Sequence, residues 1–308
     1  MSPTTPVDPA MNTTSLVRLL LLSAIWGASF LFMRIGAPVL GPEMLVFARV
    51  LLAAIFLLLV SPGFAASLQT RNHWRHYLIL GLFNSALPFF LLAHAAQTVS
   101  ASLLSILNAT APIWAALIGT LWLNERITAR ALTGMGFGVI GVGVLAGIET
   151  LTLPGGGILA LATGLAAPLF YGVATLYTRS ARSAGPSENA HGSMWAASLW
   201  LAPLALFAPP LHGEPPLHVL LAVAALGIVC SGIAYLLYFR LISDVGAVPA
   251  LTVTFLIPVF GILWGHLFLD EPVGWHTLIG GLMVLTGTAL VTGFSPAAAW
   301  SRPRSHAA

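Results

Sequence analysis

Long apolar segments separated by short polar linkers run along the whole chain. A hydrocarbon core of roughly 30 Å requires about 20 helical residues. Ten segments meet this requirement. Because they are apolar on every side and contain Gly and Pro, they indicate membrane helices rather than strands of alternating polarity. The segments are 16–35, 43–61, 76–96, 100–122, 130–148, 155–177, 192–209, 217–239, 247–268 and 275–294.

The second half of the chain repeats the first about 146 residues later. Leu and Ala coincide by chance in so apolar a chain, but shared Pro, Glu and Gly positions indicate a duplication. Five segments per copy is an odd number, so the second copy enters the membrane from the opposite side. We therefore predict an all-α membrane protein with ten transmembrane helices in two inverted repeats, residues 1–150 (helices one to five) and residues 151–308 (helices six to ten).

Composition excludes most other classes of protein. The 308 residues are 58% hydrophobic and 7% charged, whereas about a quarter of a soluble domain is charged. The single cysteine, Cys230, cannot form an internal disulfide and argues against a metal cluster. Motifs for a nucleophile, zinc or a phosphate loop are absent from the sequence. We expect no cofactor, no metal and no enzymatic activity.

The basic residues, all of them Arg, predict the orientation in the membrane. By the positive-inside rule, the side that holds most of them is cytoplasmic. This places both termini in the cytoplasm. Since the charges are spread over many short loops, they report topology rather than nucleic-acid binding. The residues on the cytoplasmic side are Arg18, Arg71, Arg75, Arg126, Arg130, Arg179, Arg182, Arg240, Arg302 and Arg304.

Two prolines at equivalent positions interrupt helices four and nine. Pro112 and Pro258 lack an N–H, which frees the carbonyls of Asn108 and Thr254 four residues earlier. One interpretation is a packing kink whose freed carbonyl is satisfied by a side chain. The other is that the two kinks face each other and expose Asn108 and Thr254 to a substrate cavity near the membrane centre.

Aromatic and hydroxyl side chains are also matched between the copies. Trp26 and Tyr171 each precede a glycine, and Tyr235 has an aromatic counterpart in the first copy. That counterpart is Phe89. Ser85 precedes Phe89 by one helical turn, and Ser231 precedes Tyr235 by one turn. Such residues often belong to a helix core. Because they carry polar groups in a medium without water, we assign Trp26, Tyr171, Tyr235, Ser85 and Ser231 to the cavity.

Acidic and glycine residues near the helix ends predict structural roles. Glu125 and Glu271 follow Asn124 and Asp270, where they would either cap helices five and ten or act as gates. Glycines in helices five and ten permit close helix contact, which would hold the fold or a homodimer. These glycines are Gly134, Gly138, Gly141, Gly280 and Gly287.

Arg49 is the one charge clearly inside a predicted helix. A guanidinium in the bilayer is costly unless its side chain reaches an interface or finds a partner. Arg49 either extends outwards, towards Glu43, or faces the cavity and holds a substrate carboxylate or neighbouring carbonyls. We take the second as the hypothesis.

The residues resemble those of a known family over essentially the whole chain. Trp26-Gly27 followed by Phe30, together with Arg49, form the first part of the pattern. The segment 121–128 (LWLNERIT), the segment 231–235 (SGIAY) and the segment 267–273 (LFLDEPV) complete it. The chain resembles the EamA-type transporters of the drug/metabolite transporter superfamily. It departs from them at Asn124 and Asp270, where that family usually has Gly before the Glu.

The resemblance implies a ten-helix inner-membrane carrier that moves small metabolites, often outwards, by alternating access. Some relatives export amino acids, and others handle sugars or drugs. The inverted duplication supports a carrier on physical grounds, because two similar halves can exchange inward-open and outward-open shapes at little energy cost. The alternatives are a channel, a non-transporting scaffold and, as the weakest, an intramembrane enzyme.

Overall fold

A computed structural model describes residues 13–60, 70–123, 126–149, 157–181, 185–211, 213–246, 250 and 252–293. Helices account for nearly all of these residues, and no strand occurs among them. The all-α prediction is therefore confirmed for the part of the chain that the structure describes.

The helices are labelled here in chain order. Thr13–Val60 is continuous except at Gly41 (φ 73°), which divides it into α1 (13–40) and α2 (42–60). Three of the following helices are composed of successive segments that we treat as one unit. These are α3 (Thr70–Gly81, Leu82–Ala86, Leu87–Ala95), α4 (Ala101–Asn108, Ala111–Leu123) and α8 (Leu217–Ala224, Ala225–Ile233, Ala234–Val245); the others are α5 (Ala129–Glu149), α6 (Gly157–Ser180), α7 (Pro186–Leu206), α9 (Val253–Leu269) and α10 (Trp275–Thr292).

Length and hydropathy identify this as a multi-pass membrane protein. Within the described ranges, six helical stretches are long and apolar enough to cross a bilayer, and two shorter helices are also apolar. Large apolar side chains also point outwards, as lipid contact requires. Among the most exposed are Leu121, Val139, Ile158, Leu206, Phe207 and Leu282.

The matched serines lie in wide helical turns. Leu82–Ala86 in α3 and Ala225–Ile233 in α8 are π-helical, and the repeat offset places the first inside the second. Ser231 Oγ donates to the carbonyl oxygen of Leu226, five residues earlier, at 3.0 Å. Such π turns are uncommon and often occur at functional sites.

The two predicted proline kinks differ from each other. Helix α4 stops at Asn108 and resumes at Ala111, so the first copy has a break rather than a bend. In the second copy α9 begins only at Val253 and continues through Pro258. Thr254 therefore lies in the first turn of α9, not in its middle as the apolar pattern predicted.

The prediction that Asp270 and Glu271 begin helix ten is wrong. Asp270 ends α9 in a left-handed conformation (φ 52°), whereas α10 starts at Trp275 after Gly274. The Glu271 carboxylate instead caps the start of α4. Its Oε1 accepts from Ala101 N at 2.7 Å, and its Oε2 accepts from Ser102 N at 3.0 Å and Ser102 Oγ at 2.6 Å. Glu125, its counterpart, lies outside the described residues.

Glycines bring α5 and α10 into backbone contact within one chain. A Cβ added to Gly134 would stand 2.6 Å from the carbonyl oxygen of Gly287, and one on Gly141 would stand 2.8 Å from that of Gly280. At this separation only glycine fits. Of the two roles predicted for these residues, these contacts within one chain correspond to holding the fold.

Contacts between helix ends define the two ends of the bundle. At the proximal end, where α1 begins, Arg18 pairs with Asp244 at the end of α8. There too His76 of α3 contacts Tyr177 near the end of α6. The distal end, where α1 finishes, holds the Glu271 contact with α4. Also at the distal end, Arg34 donates to the carbonyl oxygens of Ala96 and Gln97, just after α3, at 2.9 and 2.7 Å.

Candidate functional site

A cavity of about 1100 Å³ lies between the two halves of the bundle. Its wall extends to Arg179 in the last turn of α6 and to Gly293 after α10, so it reaches the proximal end. Towards the distal end its wall includes Leu92 of α3 and Ser105 of α4. The volume is ample for a small metabolite.

Arg49 lines this cavity from α2 and is 5% exposed. Its Nε donates to Ser231 Oγ at 2.9 Å, and its guanidinium carbon lies 3.6 Å from the centre of the Phe89 ring. Nη1 approaches Met33 Sδ at 3.8 Å, and a thioether is only a weak acceptor. The side chain therefore points inwards and is fixed at Nε, with its Nη groups left for a stronger acceptor.

Aromatic rings form one wall of the cavity. Trp26 packs edge-on against Tyr235, with the ring centroids 6.3 Å apart. It also packs in a tilted arrangement against Tyr238, with the ring centroids 5.3 Å apart. Tyr171 of α6 lines the same space. The structure thus brings the three predicted aromatic residues together around one cavity.

Asn108 and Thr254 also line the cavity, together with Pro112. Because α4 breaks after Asn108, this side chain sits at a helix end that faces the cavity. Its Oδ1 atom is buried and accepts no hydrogen bond from the described residues. Pro258 is buried within α9.

Ser85 and Ser231 lie behind the cavity wall rather than in it. Both are completely buried. Ser231 accepts from Arg49 and so holds the guanidinium in place. The sequence pattern assigned these serines to the cavity itself, and this assignment is wrong: Ser231 makes a positioning contact from behind the wall, and Ser85 lies in the equivalent π turn.

Several further residues line the cavity and were missed by the sequence interpretation, among them Asn84, Cys230 and Tyr238. Asn84 and Cys230 each directly precede one of the matched serines. Tyr238 follows Tyr235 by three residues, which puts it on the same helix face. That spacing could have identified Tyr238, but residue type alone gave no signal for Cys230.

The described residues contain no group of three or more His, Cys, Asp or Glu that could hold a metal. The polar groups that line the cavity are the guanidinium groups of Arg49 and Arg179, the amides of Asn84 and Asn108, phenol hydroxyls, and several serine and threonine hydroxyls. This set can bind and orient a small molecule through hydrogen bonds and charge.

The EamA-like transporter family matches residues 14–147 and 158–293. The chain belongs to this family. An uncharacterized transporter from Archaeoglobus fulgidus is 26% identical, over 92% of this chain and 98% of its own. A protein of Streptantibioticus cattleyicolor, named a "probable terminal-alkyne amino-acid exporter", is 23% identical over 91% of this chain and 94% of its own.

The fold of this EamA-like protein is also found in a solved crystal structure. That structure has a TM-score of 0.62 and covers 91% of this chain and 97% of its own, at 18% identity. The likeness concerns the fold alone. The family match makes this protein a membrane transporter by family, and several of its relatives are named transporters.

Proposed function

We propose that this EamA-like protein is a secondary transporter that exports a small metabolite across the inner membrane by alternating access. Export agrees with the name of the relative that is called a probable amino-acid exporter. The observation that carries the proposal is the asymmetry of the cavity. It reaches the proximal end at Arg179 and Gly293. At the distal end Glu271 binds α4 and Arg34 binds the chain after α3. This is the arrangement of a carrier open to one side only.

The second part of the proposal is that ten helices cross the membrane as two inverted repeats. It is supported by the contacts at the ends. Helix α1 begins at the proximal end beside Asp244. Its counterpart α6 instead finishes there, at Tyr177 beside His76. Two separate family matches, 14–147 and 158–293, agree with a division near residue 150.

Cysteines at two equivalent positions provide a direct test of the inversion. The repeat offset places Arg126 on Pro272, and both are exposed. In a Cys230→Ala background, Arg126→Cys should react with a membrane-impermeant thiol reagent only from the cytoplasmic side. Pro272→Cys should react only from the opposite side. Labelling of both from one side would rule out inverted repeats.

Transport itself is tested by comparing the metabolites that cells retain and release. Cells that make the protein should accumulate at least one small metabolite in the medium and lose it from the cytoplasm. The matched control is a cavity variant at equal membrane abundance, so that any difference reports the cavity and not the added membrane protein. If both kinds of cell release the same amounts of every metabolite into the medium, the exporter proposal is refuted.

Asn108→Leu is the variant best suited to that control. Leu has a similar volume but offers no acceptor in place of the buried Oδ1. We expect release of the metabolite to fall about tenfold or more, since losing one hydrogen bond at a buried site commonly costs this much. Membrane abundance should stay near wild type. Loss of the variant from the membrane, or normal release, would instead favour a packing role for Asn108.

A further inference from the structure

The deep part of the cavity holds the positive charge of Arg49. None of the described residues that line the cavity is acidic. Among the described residues, the ion pairs involve Arg18 and Arg240, not Arg49. A buried guanidinium is costly unless it is paired. The surroundings of Arg49 therefore favour a ligand group that carries a negative charge.

A second polar group in the cavity lacks a partner. Asn108 Oδ1 is buried and accepts no hydrogen bond within the described part of the chain. An amide oxygen in this position is satisfied by a donor on the ligand. A neutral donor such as a hydroxyl can donate to Asn108 Oδ1 without bringing a further positive charge into the cavity that contains Arg49.

The remaining surface of the site is largely apolar. Trp26, Phe30 and Tyr235 provide aromatic area, and Phe89 lies against the guanidinium of Arg49. Such walls bind an apolar or aromatic body, while the few polar groups fix its orientation. Around Arg49 the site therefore combines a buried cation, the Asn108 oxygen that has no partner among the described residues, and an aromatic surface.

Building on the transport function proposed above, we infer that the substrate is an organic monocarboxylate with an apolar or aromatic body and a neutral hydrogen-bond donor. Its carboxylate accepts from the Nη groups of Arg49, and its donor reaches Asn108 Oδ1. A monoanion compensates the charge of Arg49, whereas Arg179 lies at the proximal end of the cavity, in the last turn of α6. A zwitterion leaves the charge of Arg49 uncompensated and brings an ammonium group for which the lining has no carboxylate.

Four small probes that share one phenyl ring and a three-carbon chain test the role of the carboxylate and of the donor. They are 3-phenylpropanoate, its neutral amide 3-phenylpropanamide, 3-phenyllactate with a hydroxyl, and phenylalanine with an ammonium. Their affinities are measured by calorimetry on the purified full chain. We expect 3-phenylpropanoate to bind about tenfold or more tightly than the amide, because charge-assisted hydrogen bonds are the stronger ones.

Arg49→Gln should remove this preference, so that acid and amide bind equally. The matched control is Arg75→Gln, because Arg75 is an exposed cation that lies on Trp74 outside the cavity. The control should keep the preference. Retention of the preference in Arg49→Gln, or failure of 3-phenylpropanoate to bind at millimolar concentration, would overturn the inference.

The donor is tested by the remaining two probes. 3-Phenyllactate should bind several-fold more tightly than 3-phenylpropanoate, and Asn108→Leu should abolish that advantage while the preference for acid over amide persists. Phenylalanine should bind about tenfold more weakly than 3-phenyllactate. Phenylalanine binding as tightly as 3-phenyllactate would overturn the inference, because the site would then accept an ammonium.

The binding measurement is independent of the transport measurement. If the probes rank as expected but cells release no metabolite, the substrate class stands and the exporter proposal fails. If cells release a metabolite but the probes rank otherwise, the transport function stands and the substrate class is wrong.

Discussion

Arg49→Lys should reduce export about ten- to a hundredfold while membrane abundance stays close to that of the wild type. The guanidinium of Arg49 does two things at once: Nε donates to Ser231, and the Nη groups face the cavity. Lysine keeps the charge but cannot donate in a planar fork. Loss of charge-assisted hydrogen bonds of this kind has an effect of this size. Release of the metabolite into the medium is measured at matched abundance.

The alternative that Arg49 extends to the membrane surface makes the opposite prediction. If the Arg49 side chain only extended to the membrane surface, substitution by lysine would leave transport unchanged. The buried position of Arg49, at 5% exposure and over the Phe89 ring, is not that of such a residue. Normal export by Arg49→Lys, or a loss of export that only follows a loss of abundance, would contradict its role in the cavity.

Gly134→Leu should destabilise the protein by about 3 kcal/mol, the upper part of the range for overpacking a close contact. Even a Cβ at this position would stand 2.6 Å from the Gly287 carbonyl oxygen and 2.9 Å from Leu290 Cβ. Backbone cannot move aside as a flexible side chain can, so α5 and α10 must separate. The expected result is a lower melting temperature in detergent and reduced membrane abundance.

Gly136→Leu is the control on the same helix. A Cβ on Gly136 meets nothing within 4 Å. Because leucine is also a better helix former than glycine, this variant should melt at the wild-type temperature or above. Equal destabilisation by both substitutions would mean that α5 and α10 are not held together by their glycine contact.

The architecture follows from the sequence because membrane helices obey a simple rule. Every backbone group in lipid must be satisfied within its own helix, so long apolar segments become helices. Their ends were less predictable. The predicted polar linker between helices one and two is reduced to Gly41, because a single residue with positive φ is enough to turn the chain. Hydropathy does not register such a turn.

The contacts across the halves could not be predicted from periodicity. Glu271 was expected to cap the helix that follows it, which is the commonest arrangement. It caps α4 instead, because the chain turns back at Asp270 and brings the carboxylate to Ala101 and Ser102. A partner 170 residues away has no local signal.

The candidate site was predicted best where the two copies match. Trp26, Tyr171, Tyr235, Asn108 and Thr254 were selected by equivalence under the repeat, and all five line one cavity. Equivalence does not distinguish a wall from the layer behind it, which is why Ser85 and Ser231 were placed in the same group. Whether these residues bind substrate remains a prediction.

Alternating exposure of the cavity is the central claim, and a cysteine inside the cavity tests it most directly. Ala116 lines the cavity and has a small side chain, so we place Cys there in the Cys230→Ala background. Glu271→Gln is then added to weaken the distal contact, because both carboxylate oxygens of Glu271 accept hydrogen bonds from α4, whereas an amide keeps one acceptor oxygen and has an NH2 group in place of the other. The single cysteines at 126 and 272 serve as markers of the two faces.

A membrane-impermeant thiol reagent should label Ala116→Cys readily from the cytoplasmic face and slowly from the other face. With Glu271→Gln the labelling from the opposite face should become faster, while that from the cytoplasmic face slows, since the two open states compete. Labelling from the cytoplasmic face alone in both backgrounds, or equally fast labelling from both faces in both backgrounds, would contradict a carrier.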